Sequence, residues 1–196
     1  NIPECKNYQK IQVVKKLENS LHHFTWNDLC KYKDILIHEK YHNEVFEGNK
    51  KWLIIASVRD PYDRIISELF FRRVLNKTST SNDVSEILKR YLFSSYNYDN
   101  HKTPQYKFIC NEKDEILPFI KIVKIESLDR DMIKLGFPSF PQFQLNLQNN
   151  KKYDKNKYKL LLNTESIQII NEFYAKDFEL LGYEQLEEPI TQTTDS

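Results

Sequence analysis

Arg59 and Ser67 are eight residues apart, a spacing that suits two ligands of one bound anion. Arg59 ends a continuous apolar run, and Ser67 falls about two turns into the helix predicted after it. A guanidinium can form a bidentate, charge-assisted pair with a phosphate, and a serine hydroxyl can donate a further hydrogen bond. Helical spacing places Arg64 near the face that carries Ser67. These residues predict a phosphate site at a strand-to-helix turn.

A purely structural reading of the same residues is also open from their types alone. Asp60 could pair with Arg64 across the first turn of the helix, and Ser67 could simply occupy a helical position. Neither reading is excluded by spacing.

Predicted strands and helices alternate along the chain around this turn. Continuous apolar runs over residues 52–58 and 119–125 predict strands buried on both faces. Asp60 can cap the helix that follows the first strand, with Pro61 at its first position. Helices are predicted over residues 61–75, 84–93 and 164–181 and before Gly136, with an irregular loop over residues 138–157. The alternation predicts a single α/β domain with a central, mainly parallel sheet flanked by helices.

The composition narrows the classes of function. Lys and Arg number 29 against 28 Asp and Glu, a balance that argues against a nucleic-acid footprint. No apolar window approaches the roughly 18 residues that a membrane span needs. Cys5, Cys30 and Cys110 lack zinc or redox spacing and indicate structural thiols in a reducing compartment, so a cytoplasmic location is expected. The sequon at Asn76 leaves a secretory origin open.

The segment from Ser57 to Ser67 resembles the 3′-phosphate motif of the sulfotransferase superfamily. It reads Ser-Val-Arg-Asp-Pro-Tyr-Asp-Arg-Ile-Ile-Ser and is most similar to that of carbohydrate sulfotransferases of the heparan sulfate type. The resemblance implies that Arg59 and Ser67 contact the 3′-phosphate of the sulfate donor PAPS, with Arg64 beside them. It also implies a P-loop-kinase-like fold, PAP as the product and no metal.

Three further segments resemble the same family in the same order. Residues 99–105 match an Asp-x-His-x-x-Pro-Gln segment that lines the active-site cleft, residues 124–128 a strand that ends in Glu-x-Leu, and residues 174–183 a terminal helix that ends in Gly-Tyr. The first match implies that His101 and Gln105 contact the acceptor.

The run from His23 to Leu29 resembles the His-x-x-Trp-x-Glu-Leu run of heparan sulfate 6-O-sulfotransferases. It is also similar to the His-Ala-Thr-Ala segment of related carbohydrate sulfotransferases. In both, the histidine is the proposed general base, which removes the proton of the acceptor hydroxyl. The alignment selects His23 over its neighbour His22, and His101 is a second candidate. A packing role for His23 is also open.

The start of the chain departs from the family pattern. Relatives carry a loop with a Lys and small residues that binds the 5′-phosphosulfate. Residues 2–5 weakly resemble the first residues of this loop, but Glu4 occupies the position where the Lys is expected. We therefore expect this loop upstream of Asn1. Lys151 and Lys152 in the predicted long loop are candidate phosphate ligands, with a solvated loop as the alternative.

The function predicted from these features is PAPS-dependent transfer of a sulfuryl group to a hydroxyl, with a carbohydrate as the expected acceptor. The domain is expected over residues 1–186, followed by a tail over residues 187–196. The alternative is a catalytically degenerate relative that binds a nucleotide or a glycan. A Golgi-lumen location is expected instead of the cytoplasm if the chain comes from a eukaryotic secretory enzyme.

Overall fold

The computed structural model describes residues 23–36, 53–137 and 159–190. The chain divides into a first unit of residues 1–54 and 97–121, and a second unit of residues 55–96 and 122–196. The elements of these ranges are α1 (Trp26–Leu36), β1 (Ile54–Val58), α2 (Pro61–Phe71), α3 (Ser81–Leu92), β2 (Ile120–Lys124), α4 (Leu128–Lys134), α5 (Thr164–Phe173) and α6 (Ala175–Leu181). None of these helices is long and apolar enough to cross a membrane.

Strands β1 and β2 pair in a small parallel sheet. Both fall inside the apolar runs that predicted them, and each is slightly shorter than its run. The mixture of helices and strands with a parallel pair confirms the α/β class. A central sheet flanked by helices, a P-loop-kinase-like topology, and one domain over residues 1–186 with a tail over residues 187–196 stay predictions.

Helix α2 begins at the predicted position because Asp60 caps it. The Asp60 carboxylate accepts hydrogen bonds from the backbone N–H groups of Tyr62 and Asp63, at 2.9 and 3.3 Å. Pro61 occupies the first helical position, where a missing N–H costs nothing. The helix ends at Phe71, earlier than the predicted end.

Helix α3 starts earlier than predicted. Thr80 and Asp83 form a reciprocal capping box, in which each side chain accepts the backbone N–H of the other residue. The helix therefore begins at Ser81, before the predicted start at residue 84. The first turn of α3 is polar and lacks periodic apolar residues, so the apolar pattern predicts a helix start that is too far along the chain.

The predicted helix over residues 164–181 is two helices. Asn163 caps α5 by accepting the N–H of Ser166. The helical backbone is interrupted at buried Tyr174, whose carbonyl accepts the N–H groups of Asp177 and Phe178 in the first turn of α6. Gly182 follows α6 with φ of 63°, a left-handed conformation that favours glycine.

The core of the second unit is formed by apolar faces of α2, α3, α5 and α6. Helix α3 packs against α5, and α5 against α6. The buried members are Tyr62, Ile65, Ile66, Leu69, Leu75, Val84, Leu88, Leu92, Leu162, Ile167, Ile169, Ile170, Tyr174 and Phe178. Burial of this apolar surface supplies the main stabilisation of α2, which carries Ser67.

The first unit is organised around α1, a helix that the sequence did not reveal. Buried Trp26 packs against Phe119 with ring centroids 5.5 Å apart. Helix α1 also packs against a short 3-10 helix over Gln105–Phe108. These contacts hold the segment containing His23 and the segment after Asp99 in one compact unit.

Candidate functional site

The turn after β1 positions the predicted phosphate ligands. Arg59 follows the strand directly and is half-buried, as are Arg64 and Ser67 in α2. On the opposite face of α2, Ile65 and Ile66 are at most 1% exposed and lie in the core. Half-buried Ser67 and buried Ile65 thus lie on different faces of α2, as the sequence period predicts.

Asp60, between the strand and the helix, pairs with Lys159. The Lys159 ammonium lies 2.8 Å from Asp60 Oδ2, and the two side chains are 16% and 12% exposed. This partner replaces the pairing between Asp60 and Arg64 that spacing left open. The Arg64 guanidinium carbon instead lies 5.9 Å from the centre of the Tyr174 ring. An acidic side chain at the turn is therefore balanced by a nearby cation.

The backbone of the turn is held by Glu126. Its Oε1 accepts the N–H of Asp60 at 2.7 Å, and its Oε2 accepts the hydroxyl of Tyr183 at 3.0 Å. Lys124 donates to the carbonyl of Gly182 at 3.0 Å and lies 4.1 Å above the Tyr183 ring. Three of the segments that resemble the family thus contact one another within the second unit.

Tyr62 connects the same turn to the end of the chain. Its hydroxyl donates to Asn171 and accepts the N–H of Leu186 at 2.7 Å. Burial raises the pKa of Tyr62 to about 12, so the phenol stays protonated and can donate this bond at any ordinary pH. Tyr62 thus links the turn to the end of the chain, a structural role that the sequence motif does not predict.

In the first unit, His23 lies against an acidic side chain. Its Nδ1 is 2.8 Å from Oδ2 of Asp99, and the two side chains are 29% and 12% exposed. The ring of His101 meets the ring of His23 edge-on, with centroids 4.4 Å apart. The structure therefore brings the two candidate bases together and adds a carboxylate to them.

The backbone around Asp99 fixes this arrangement. Asp99 and Asn100 both have left-handed backbone angles, with φ of 49° and 59°. The Asn100 amide donates to the carbonyl of His23 at 3.0 Å and to Asp28 at 3.4 Å. Asp28 also accepts the N–H of Thr25 at 2.9 Å and so ties the start of α1 to this network. The two segments are joined by hydrogen bonds rather than by apolar contact alone.

Gln105, the second predicted acceptor contact, is buried at the start of its 3-10 helix. Lys102, which the sequence did not single out, is buried as well. Loss of hydration lowers the pKa of Lys102 below its usual value, since burial disfavours the charged ammonium. Lys102 and Gln105 thus place two buried polar side chains in the segment that resembles the cleft segment of the family.

The predicted site residues fall into three groups. His23, His101 and Gln105 lie in the first unit, and Arg59, Arg64 and Ser67 lie in the second. Lys151 and Lys152 lie outside the described residues.

The structure adds three residues to these groups, Asp99, Glu126 and Lys159, whose roles are not predicted by the sequence. Asp99 and Glu126 belong to segments that resemble the family, so the sequence indicates that these positions matter. It does not indicate which residues they contact. Lys159 has no local signal, because its partner Asp60 is distant in sequence.

A family model described as “Sulfotransferase family” matches residues 5–184, which is more than half of the chain. The match covers His23, Arg59, Arg64, Ser67, His101 and Gln105. No curated protein and no solved structure matches the chain.

Proposed function

The chain belongs to the sulfotransferase family, and we propose that it moves a sulfuryl group from PAPS to a carbohydrate hydroxyl. Sulfuryl transfer to a hydroxyl-bearing acceptor is the family's general chemistry. In the proposed step the acceptor oxygen attacks sulfur, the bond from sulfur to the bridging oxygen of the donor breaks, and PAP leaves. The proton of the hydroxyl passes to a base on the protein.

The contact between Glu126 and Asp60 is the observation that carries the donor assignment. A fixed turn favours recognition of a 3′-phosphate by Arg59, because a guanidinium that is already ordered loses less conformational freedom on binding. The 2.7 Å bond from the Asp60 N–H to Glu126 fixes the backbone beside Arg59. Helix α2, packed into the core, fixes Ser67 in the same unit.

The charge of the turn also supports an anionic ligand. The carboxylate of Asp60 would repel a phosphate near Arg59, since like charges interact strongly where burial limits solvent screening. Lys159, 2.8 Å from that carboxylate, offsets its charge. Arg59 and Arg64 then supply the positive charge that a 3′-phosphate requires.

His23 is the base in this proposal, and Asp99 is its positioning residue. A carboxylate at Nδ1 favours the tautomer with the proton on Nδ1, which makes Nε2 the basic atom. It also stabilises the imidazolium that forms when the proton arrives. The 2.8 Å separation of Nδ1 and Oδ2 supports this role.

A carbohydrate is the proposed acceptor because the segment over residues 99–105 resembles the cleft segment of carbohydrate sulfotransferases. His101 and Gln105 supply imidazole and amide groups, which suit hydrogen bonds to sugar hydroxyls. Labelled PAPS offered with a panel of glycans and phenols tests the acceptor directly. Sulfation of phenols alone would contradict the carbohydrate assignment.

Thermal unfolding in the presence of PAP or AMP tests the donor site. A ligand that binds only the folded protein raises Tm by mass action. PAP should raise Tm well above the shift with AMP, because AMP lacks the 3′-phosphate. Arg59→Ala should remove most of this difference, whereas Arg90→Ala, an exposed arginine of α3, should leave it intact. Equal shifts with both nucleotides would refute the donor site.

A further inference from the structure

Three side chains of the first unit bring potential metal ligands together. His23, Asp99 and His101 each offer one ligand atom, and these atoms lie within 4.8 Å of one another. Nδ1 of His23 and Oδ2 of Asp99 are already 2.8 Å apart. Two ligands of one zinc ion, each bound at about 2.0–2.2 Å, are separated by about 3 Å in tetrahedral or octahedral geometry. The cluster therefore needs only small side-chain adjustments to close around an ion.

The three residues are accessible and held in place. All of them are half-buried, so an ion can reach them from solvent while part of each side chain is packed. Asn100 connects their two segments by donating to the carbonyl of His23 at 3.0 Å. The ligands thus come from segments that are already tied together, which limits the ordering cost of binding.

The donor set selects the kind of ion. Two imidazoles and one carboxylate suit Zn²⁺ and its neighbours in the first transition row. Mg²⁺ and Ca²⁺ prefer oxygen ligands and would gain little from two histidines. Three protein ligands leave one position of a tetrahedral zinc ion for water.

We propose that His23, Asp99 and His101 form an inhibitory site for a divalent transition-metal ion such as Zn²⁺. Binding would engage His23 and Asp99 as ligands, and the pair could then no longer accept the proton of an acceptor hydroxyl. The site is thus a regulatory one rather than the seat of a metal cofactor. The inhibitory half of the inference rests on the proposed function, whereas the binding half does not.

Titration calorimetry with ZnCl₂ tests the binding half on metal-free protein. One Zn²⁺ should bind per chain, and Asp99→Asn and His101→Gln should each weaken binding by about tenfold or more, as expected on loss of a ligand. Asp129→Asn is the matched control, because it makes the same change as Asp99→Asn at an exposed residue of α4, and it should keep the original affinity. Equal affinities in the original protein and both cluster variants would overturn the site.

Chemical modification of the unaltered protein provides a second measurement that does not depend on the folding of a variant. Diethyl pyrocarbonate acylates accessible imidazoles, and peptide mass spectrometry identifies the modified histidines. Zn²⁺ should protect His23 and His101 together, over the concentration range that calorimetry gives, and Mg²⁺ should not. Modification of both residues at saturating Zn²⁺ would overturn the site.

A transfer assay tests the inhibitory half separately. Zn²⁺ should lower the rate of sulfuryl transfer with a midpoint equal to its dissociation constant, and EDTA should restore the rate. Zinc binding at the cluster without loss of rate would overturn the inhibitory role. If no acceptor is sulfated under any condition, the proposed function fails, while calorimetry and modification still decide whether the metal site exists.

Discussion

The carboxylate of Glu126 accepts a hydrogen bond from the backbone N–H of Asp60 at 2.7 Å. It joins the Glu-x-Leu segment to the turn that presents Arg59. The second oxygen of Glu126 accepts the hydroxyl of Tyr183, so the carboxylate is itself held from the far side. Glu126 thus holds the turn that presents Arg59 through the backbone of Asp60.

Glu126→Ala should weaken PAP binding and lower Tm. The substitution leaves the Asp60 N–H without its acceptor, which costs about 1–3 kcal/mol for a buried donor. Each increment of about 1.4 kcal/mol by which the substitution destabilises the PAP complex relative to the free protein weakens the affinity for PAP about tenfold. Calorimetric titration with PAP and thermal unfolding measure the two effects.

Tyr183→Phe is the matched control for this prediction. It keeps the ring below Lys124 and removes only the hydroxyl that donates to Glu126, so the bond to Asp60 remains. PAP affinity should change little. If Glu126→Ala and Tyr183→Phe weaken PAP binding equally, the bond to Asp60 is not what fixes the turn.

The ion pair between Asp60 and Lys159 should contribute measurably to folding. Its two side chains are mostly buried, so removal of one partner leaves a poorly hydrated charge. Asp60→Asn keeps a good helix cap and removes the charge, and Lys159→Met keeps the length of the side chain. A double-mutant cycle with urea unfolding should give a coupling energy of about 1–3 kcal/mol.

The pair between Lys89 and Glu165 provides a comparison within the same unit. Its atoms are closer, at 2.6 Å, but the side chains are 41% and 49% exposed. Solvent screening makes such pairs weak, so the same cycle on Lys89 and Glu165 should give a clearly smaller coupling. A larger coupling for this exposed pair would contradict the importance of burial at Asp60.

Asp131 should make folding sensitive to acid. Its carboxylate accepts hydrogen bonds from the Ser127 hydroxyl at 2.8 Å and from the Lys124 N–H at 3.1 Å. Both bonds lower the pKa of Asp131 below the ordinary 3.8, and the bond from the Ser127 hydroxyl has the larger effect. Because the folded state has the lower pKa, the stabilisation is complete well above pH 3.8 and is lost as pH falls through the folded-state value.

Asp131→Asn should therefore lower the free energy of unfolding at pH 7, and the gap to the original protein should narrow below pH 4. Urea unfolding at a series of pH values measures the gap. Asp129→Asn changes an exposed neighbour on α4 and should have little effect at any pH. A gap of constant size from pH 7 to pH 3 would show that ionisation of Asp131 does not stabilise the fold.

The strand-to-helix turn could be predicted because all of its signals are local. An apolar run predicts β1, Asp60 and Pro61 predict the start of α2, and the spacing of apolar residues predicts its buried face. The start of α3 was missed because its first turn is polar, although the capping box of Thr80 and Asp83 was a readable signal. Local patterns thus set the elements to within a few residues.

The contacts that build the candidate sites could not be predicted in the same way. Lys159 meets Asp60 across 99 positions, and Asn100 meets His23 across 77. No period or spacing encodes such pairs, because they depend on how the elements pack. The resemblance to sulfotransferases pointed to the segments, but the partners within them came from the structure.

The pairing of His23 and Asp99 leads to a prediction about turnover. If His23 is the base, His23→Ala should lower kcat by roughly 10²–10⁴ and leave PAP affinity unchanged, since the base acts only in the chemical step. Asp99→Asn should also lower kcat at constant PAP affinity, because an amide cannot hold the imidazole in the required tautomer or stabilise its charged form. Added imidazole should partly restore the His23→Ala variant, an effect that a packing role would not produce.

His22→Ala is the control, because the resemblance selects His23 over its neighbour. It should retain normal turnover in the same assay. Normal turnover in His23→Ala would move the role of base to His101, whose ring lies 4.4 Å away. Joint loss of PAP affinity and thermal stability in His23→Ala, without rescue by imidazole, would show that the histidine serves packing. Asp99→Asn would then lower stability rather than kcat, so the two variants together separate positioning of a base from support of the fold.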